Sequence, residues 1–88
     1  MYNVLILGSG GREHAIAWSI YNDTKINKLY CAPGNAGTSS ICQNIDLNIV
    51  DNKEILIFVE TNNINLIIIG PEQPLENGIV DFFREKNI

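Results

Sequence analysis

The sequence predicts a three-layer α/β fold, a parallel sheet with helices on both faces. Three observations predict it. Short unbroken aliphatic runs recur along the chain, a glycine-containing turn follows each run, and segments of helical periodicity lie between them. A run without polar alternation suits a strand covered on both faces, as in a parallel sheet flanked by helices. Strand–helix units repeated in this way imply parallel strands joined by right-handed crossovers. The expected strand order is 2-1-3.

Val4, Leu5, Ile6 and Leu7 form the first run and end abruptly at Gly8. A helix is expected over residues 12–22, with Ile16, Ala17, Ile20 and Tyr21 at helical spacing and Trp18 and Tyr21 as packing residues. Leu29, Tyr30, Cys31 and Ala32 make the second strand. Residues 39–50 are the least readable. Asn44, Asp46 and Asn48 alternate there with Ile45, Leu47 and Ile49, which suggests a short extra strand over 46–49. Asp51 caps the next helix and Glu54, three residues on, is the reciprocal half of a capping box. That helix buries Ile55, Phe58 and Val59. Leu66, Ile67, Ile68 and Ile69 form the third strand, and Pro74 opens a third helix with Leu75, Ile79, Phe82 and Phe83 on one side. The alternation breaks off at Asn87 and Ile88, where a further strand is expected, so the sequence reads as the front of something longer.

Composition narrows the function classes. At 88 residues the sequence holds one domain, residues 1–88, with a single core and no room for a two-lobed active site. An apolar fraction of 45% with 18% charged residues is that of a globular chain. The net charge of −4 argues against a nucleic-acid surface. Cys31 and Cys42 are too few for a stapled secreted scaffold and show no metal-ligand spacing, so they read as reduced thiols. No basic leader precedes the first apolar run, and no stretch approaches the ~20 apolar residues of a membrane span. A soluble, cytoplasmic protein is expected, with neither nucleic acid nor membrane as partner.

Three loops leave the carboxyl ends of the expected strands, where open α/β sheets bind ligands. The first, Gly8-Ser9-Gly10-Gly11, runs straight into a helix. Its glycines let backbone N–H groups face an anion, a phosphate cradle; a tight turn that binds nothing is the other reading. The dinucleotide fingerprint is only partly met. Gly8 and Gly10 fit, but the third glycine position holds Glu13, and Cys31 and Ala32 stand where a ribose-binding acid belongs. A nicotinamide dehydrogenase is therefore disfavoured. The second loop, Pro33-Gly34-Asn35-Ala36-Gly37-Thr38, permits close approach by a polar ligand, though a plain turn explains it equally well. The third, Gly70-Pro71-Glu72-Gln73-Pro74-Leu75, sets Glu72 beside a helix start, either as a partner of the helix dipole or as an acceptor for a ligand hydroxyl or amine. His14 has no nucleophile or metal-ligand partner at useful spacing and reads as structural. Arg12 has the reach to meet a phosphate.

Taken together, Gly8-Ser9-Gly10-Gly11-Arg12-Glu13-His14-Ala15, then Pro33-Gly34-Asn35-Ala36-Gly37-Thr38, then Gly70-Pro71-Glu72 with Pro74, Leu75 and Gly78 closely resemble the N-terminal domain of the phosphoribosylamine–glycine ligase (glycinamide ribonucleotide synthetase) family. The resemblance runs over nearly the whole chain. It implies a Rossmann-like pre-ATP-grasp domain of an ATP-grasp ligase. That family joins glycine to 5-phosphoribosylamine in de novo purine biosynthesis, cleaving ATP through an acyl phosphate with Mg²⁺. By resemblance, ATP, Mg²⁺ and most glycine-activating groups belong to lobes outside this chain, whose other partner is the rest of its own polypeptide. The small-molecule partners are phosphoribosylamine, glycine and ATP. Gly10 and Gly11 are implied as backbone contacts to the phosphoribosylamine side, Asn35 as a polar contact and Glu72 as the substrate-facing carboxylate. The isolated chain is expected to be inactive. The rival reading is a nucleotide- or dinucleotide-binding module with no chemistry of its own, against which Glu13 and the missing acid after the second strand count.

Overall fold

The computed structural model describes residues 2–69. The third loop, Glu72 and the helix expected from Pro74 lie outside the described residues. Within them the chain runs β1 (Tyr2–Gly8), α1 (Gly11–Ile20), β2 (Ile26–Pro33), a 3-10 turn (Thr38–Ser40), β3 (Gln43–Asn44), α2 (Asn52–Thr61) and β4 (Leu66–Ile69). The four strands pair in parallel in the order β3-β2-β1-β4. The three strands expected from sequence stand in the expected order, with a two-residue strand added at the edge.

Side-chain alternation along the central strands explains why their sequences show none in polarity. Val4 and Ile6 face one side with Cys31 and Ala17, and Ile16, Ile20 and Ile68 pack against them. Leu5 and Leu7 face the other side with Tyr30, Ala32, Ile55 and Val59, joined by Ile67 and Ile69. One face is thus covered by α1 and the other by α2, and both sets must be apolar. Val4, Leu5, Ile6 and Leu7 are each wholly buried. At roughly 1.5–3 kcal/mol for each fully buried aliphatic side chain, this run is the largest single contributor to the core.

Helix α2 starts as expected: the Asp51 carboxylate accepts from the Lys53 and Glu54 N–H groups at 3.0 and 3.2 Å. The reciprocal half of the box differs. Glu54 Oε1 accepts from Asn48 N–H at 3.3 Å, while Asp51 N–H is taken by the Asn48 carbonyl, so Glu54 secures the turn before the cap. Ile55 and Val59 are buried and Phe58 meets Tyr30 edge-on with ring centroids 5.2 Å apart. Trp18 differs from expectation. It is 63% exposed, and its ring contact is with Tyr21 at 5.4 Å.

The extra strand is displaced from residues 46–49 to Gln43 and Asn44. Ile45, Leu47 and Ile49 do turn inward onto the α2-side core, which is what their alternation signalled. The ladder, however, closes with Ile45 N–H donating to the Cys31 carbonyl at 2.8 Å, and the chain then turns into the α2 cap.

Candidate functional site

The carboxyl ends of β1 and β2 lie side by side, with Gly8 paired to Pro33, and Leu7 paired to Ile69 on the other flank. The first two loops therefore rise from adjacent strands. Hydrogen bonds join them into one platform. Gly34 N–H donates to the Gly8 carbonyl at 3.1 Å, and the Asn35 side-chain amide donates to the Ser9 carbonyl at 2.7 Å and the Gly10 carbonyl at 3.3 Å.

The second loop is built on a reciprocal pair. Asn35 Oδ1 accepts from Thr38 N–H at 2.9 Å while Thr38 Oγ1 accepts from Asn35 N–H at 2.8 Å, a reciprocal pair like that of a capping box that leads into the 3-10 turn. The Thr38 hydroxyl is wholly buried and donates to Asn44 Oδ1 at 2.8 Å, and Asn44 Nδ2 donates to the Asn35 carbonyl at 2.8 Å. The short edge strand thus serves the loop, supplying the amide that fixes it. Gly34, at φ +75°, leaves room for the Asn44 side chain that a Cβ would strike.

The first loop turns on Gly8, Gly10 and Glu13. Gly8 has φ +137°, a conformation other residues rarely adopt, and a Cβ there would lie 2.5 Å from Glu13 Cγ and 2.6 Å from Glu13 Oε1. Glu13, on the first turn of α1, is only 5% exposed, and its Oε2 accepts from Gly10 N–H at 3.0 Å. This is the side-chain-to-backbone half of a capping box whose other half glycine cannot supply. The Gly10 carbonyl accepts from His14 N–H at 3.2 Å as well as from Asn35. Gly11 stands in contrast, since among the described residues nothing lies within 4 Å of a Cβ built on it. Its open face borders a shallow depression lined by Gly11, His14, Ala15 and Trp18. The His14 ring lies against Gly37, 2.5 Å from where a Cβ would be, so its contact is with the second loop.

Beneath the platform sit the two free cysteines. The Cys31 thiol reaches the Gly8 carbonyl at 3.6 Å and Cys42 reaches the Thr38 carbonyl at 3.1 Å. Burial, and then the neighbouring Cys42, push the Cys31 thiol up to about 11; burial also raises Cys42. Neither is a ready nucleophile. Among the described residues no group of three His, Cys, Asp or Glu side chains comes together to hold a metal ion, and no helix is long and apolar enough to cross a membrane.

Of the four site residues expected from sequence, the structure brings Gly10, Gly11 and Asn35 together, and Glu72 lies outside the described residues. Glu13 and Thr38 are not among the site residues expected from sequence. The spacing of Glu13 from Gly10, three residues at a helix start, is the readable signal for the first; Thr38 bears the same relation to Asn35.

A family model described as "Phosphoribosylglycinamide synthetase, N domain" matches residues 2–88. The chain belongs to this family. It is 47% identical over 88 residues to a protein named phosphoribosylamine–glycine ligase from Pseudomonas syringae pv. tomato, covering 98% of this chain and 20% of that protein. A protein of the same name from Rhodopirellula baltica is 49% identical over 87 residues, covering 99% of this chain and 20% of the relative. Another from Clostridium acetobutylicum is 45% identical over 87 residues, covering 97% and 20%. The chain spans about a fifth of the length of these relatives. In this chain Glu13, which stands at the third glycine position of the dinucleotide pattern, is folded against Gly8 and Gly10 in the turn.

Proposed function

We propose that this chain is the substrate-side domain of an ATP-dependent ligase that joins glycine to 5-phosphoribosylamine, giving glycinamide ribonucleotide in de novo purine biosynthesis. The observation that carries the reading is the match of residues 2–88 to the N domain of that synthetase, with nearly the whole chain shared with relatives bearing the ligase name. The platform's chemistry agrees with it. A small phosphorylated amine needs backbone donors at close range and a few fixed polar groups, without broad positive charge.

In this reading the phosphoribosyl group lies over the first loop. Gly11 offers an open backbone face at the positive end of α1, and Gly10 leaves room for approach while its own N–H is held by Glu13. Asn35 sets the spacing of the two loops through its amide, and its Oδ1, with a lone pair beyond the Thr38 bond, is the polar contact. Glu72 completes the set as the carboxylate facing the amine. ATP and Mg²⁺ are assigned to the lobes that the relatives possess beyond the matched fifth. Bound there, they supply the energy for activating the glycine carboxylate. The domain's own work is to hold and orient the amine, in the cytoplasm, as part of a longer polypeptide.

The test is a chimera. Joining this chain to the C-terminal four-fifths of the P. syringae relative, in place of that protein's own first fifth, should give an enzyme that cleaves ATP only with both glycine and phosphoribosylamine. The chain alone should show no such cleavage. A folded chimera without activity, or turnover by the isolated chain, would refute the reading.

A further inference from the structure

We infer that Glu13 is a positioning residue of the first loop, holding the loop in the one shape that presents its open face to the phosphoribosyl group. This inference rests on the substrate-side reading given above. Three observations carry it. The Glu13 side chain is almost wholly buried although it is a carboxylate at a helix start, a place where solvent is the usual partner. Its Oε2 takes the Gly10 N–H at 3.0 Å, which removes that amide from the donors a ligand can use. Its Cγ, Cδ and Oε1 fill the space beside the Gly8 α-carbon, so the positive φ of Gly8 and the glutamate rotamer require each other.

The consequence is selective. In a dinucleotide loop the second glycine lets the backbone approach the pyrophosphate closely, and Gly10 holds that place here. Glu13 Oε2 lies 3.0 Å from where a Gly10 Cβ would stand, and the Gly10 N–H is turned to it. The ligand-facing edge is shifted one residue on, to Gly11, where a Cβ would meet nothing among the described residues. The Asn35 amide, bonded to the Ser9 and Gly10 carbonyls, locks the same shape from the second loop. Glu13 does not touch the substrate in this arrangement. It acts through the backbone it holds.

The test uses the chimeric full-length enzyme with Glu13→Met, which keeps the bulk and loses the acceptor, and Glu13→Gln, which keeps both bulk and an acceptor oxygen. Two quantities are read, the hydrogen-exchange rate of the Gly10 amide and the KM values for phosphoribosylamine, glycine and ATP. Glu13→Met should speed Gly10 exchange and raise the phosphoribosylamine KM by about 10- to 100-fold, the cost of misplacing a binding group by an ångström or so, with the ATP KM moving less than about twofold. Glu13→Gln should restore the phosphoribosylamine KM to within about threefold of the parent. Unchanged Gly10 exchange in Glu13→Met overturns the positioning role and leaves the substrate-side reading standing. Faster exchange with an unchanged phosphoribosylamine KM overturns the substrate-side reading of the loop, and the inference with it. Should Glu13→Met not fold, Glu13→Gln decides alone: a loss of phosphoribosylamine use beyond about tenfold would show that the charge matters and the geometry does not.

Discussion

Alanine at Gly8 and alanine at Gly11, three residues apart, should differ sharply in their effect on stability. At Gly8 two costs combine. The φ of +137° lies where an L-residue is strained, about 1–3 kcal/mol by itself. The new Cβ would also sit 2.5 Å from Glu13 Cγ, so the glutamate must leave and surrender its bond to Gly10 N–H. A hydrogen bond to a charged group contributes about 1.5–3 kcal/mol when buried, and the partly exposed position of this one places it at the low end. The expected loss is at least about 2 kcal/mol, or a fall in Tm of roughly 8 °C or more for a domain of this size. At Gly11 the Cβ meets nothing within 4 Å among the described residues, and the residue is the first of a helix. Alanine there should be neutral or stabilise by up to about 1 kcal/mol. Urea and thermal unfolding of both variants beside the parent decide the matter. A Gly8→Ala/Glu13→Ala double variant should recover the steric part, with a coupling of about 1 kcal/mol or more. Gly8→Ala within about 0.5 kcal/mol of the parent, or no coupling to Glu13, would refute the reasoning.

Two further perturbations probe the platform. Thr38→Val keeps the shape of a wholly buried side chain but deprives Asn35 N–H and Asn44 Oδ1 of their partner, so it should cost about 1–3 kcal/mol in a urea titration. Cys31 gives a pH signature: its folded-state value near 11 stands above the ordinary 9.0, so its contribution is fully present below about pH 9 and is lost as pH rises through about 11. The parent's stability should fall across that window by up to about 1.4 kcal/mol per pH unit more steeply than that of Cys31→Ala, measured by urea midpoints. Equal slopes would show that the thiol is not held protonated by the fold.

Much of this architecture was legible because it is written in local pattern. Val4, Leu5, Ile6 and Leu7 must be apolar on both faces, and Ile67, Ile68 and Ile69 follow the same rule at the flank while Leu66 stays exposed, so strand identity could be read directly. Asp51 capped α2 as its spacing from Glu54 indicated, although Glu54 turned to Asn48 because the Asn48 carbonyl had already taken the Asp51 N–H. The edge strand was misplaced because two residues carry no periodicity. Asn44 accepts from the Thr38 hydroxyl and donates to the Asn35 carbonyl, bonds that depend on how the preceding loop folds. Within the candidate site, Gly10, Gly11 and Asn35 stand together, but the destination of the Glu13 carboxylate was hidden. Its flexible side chain has many rotamers, and only the close approach of Gly8 selects one.

The central claim is that the open face of the first loop receives phosphoribosylamine, and Gly11→Val in the chimeric full-length ligase tests it most directly. Since a Cβ at Gly11 meets no neighbour among the described residues, valine should crowd only what lies on that face. The account predicts an unchanged Tm, KM values for ATP and glycine within about twofold, and a phosphoribosylamine KM raised at least about tenfold. An unchanged phosphoribosylamine KM, or an equal loss toward all three substrates with a lowered Tm, would contradict it.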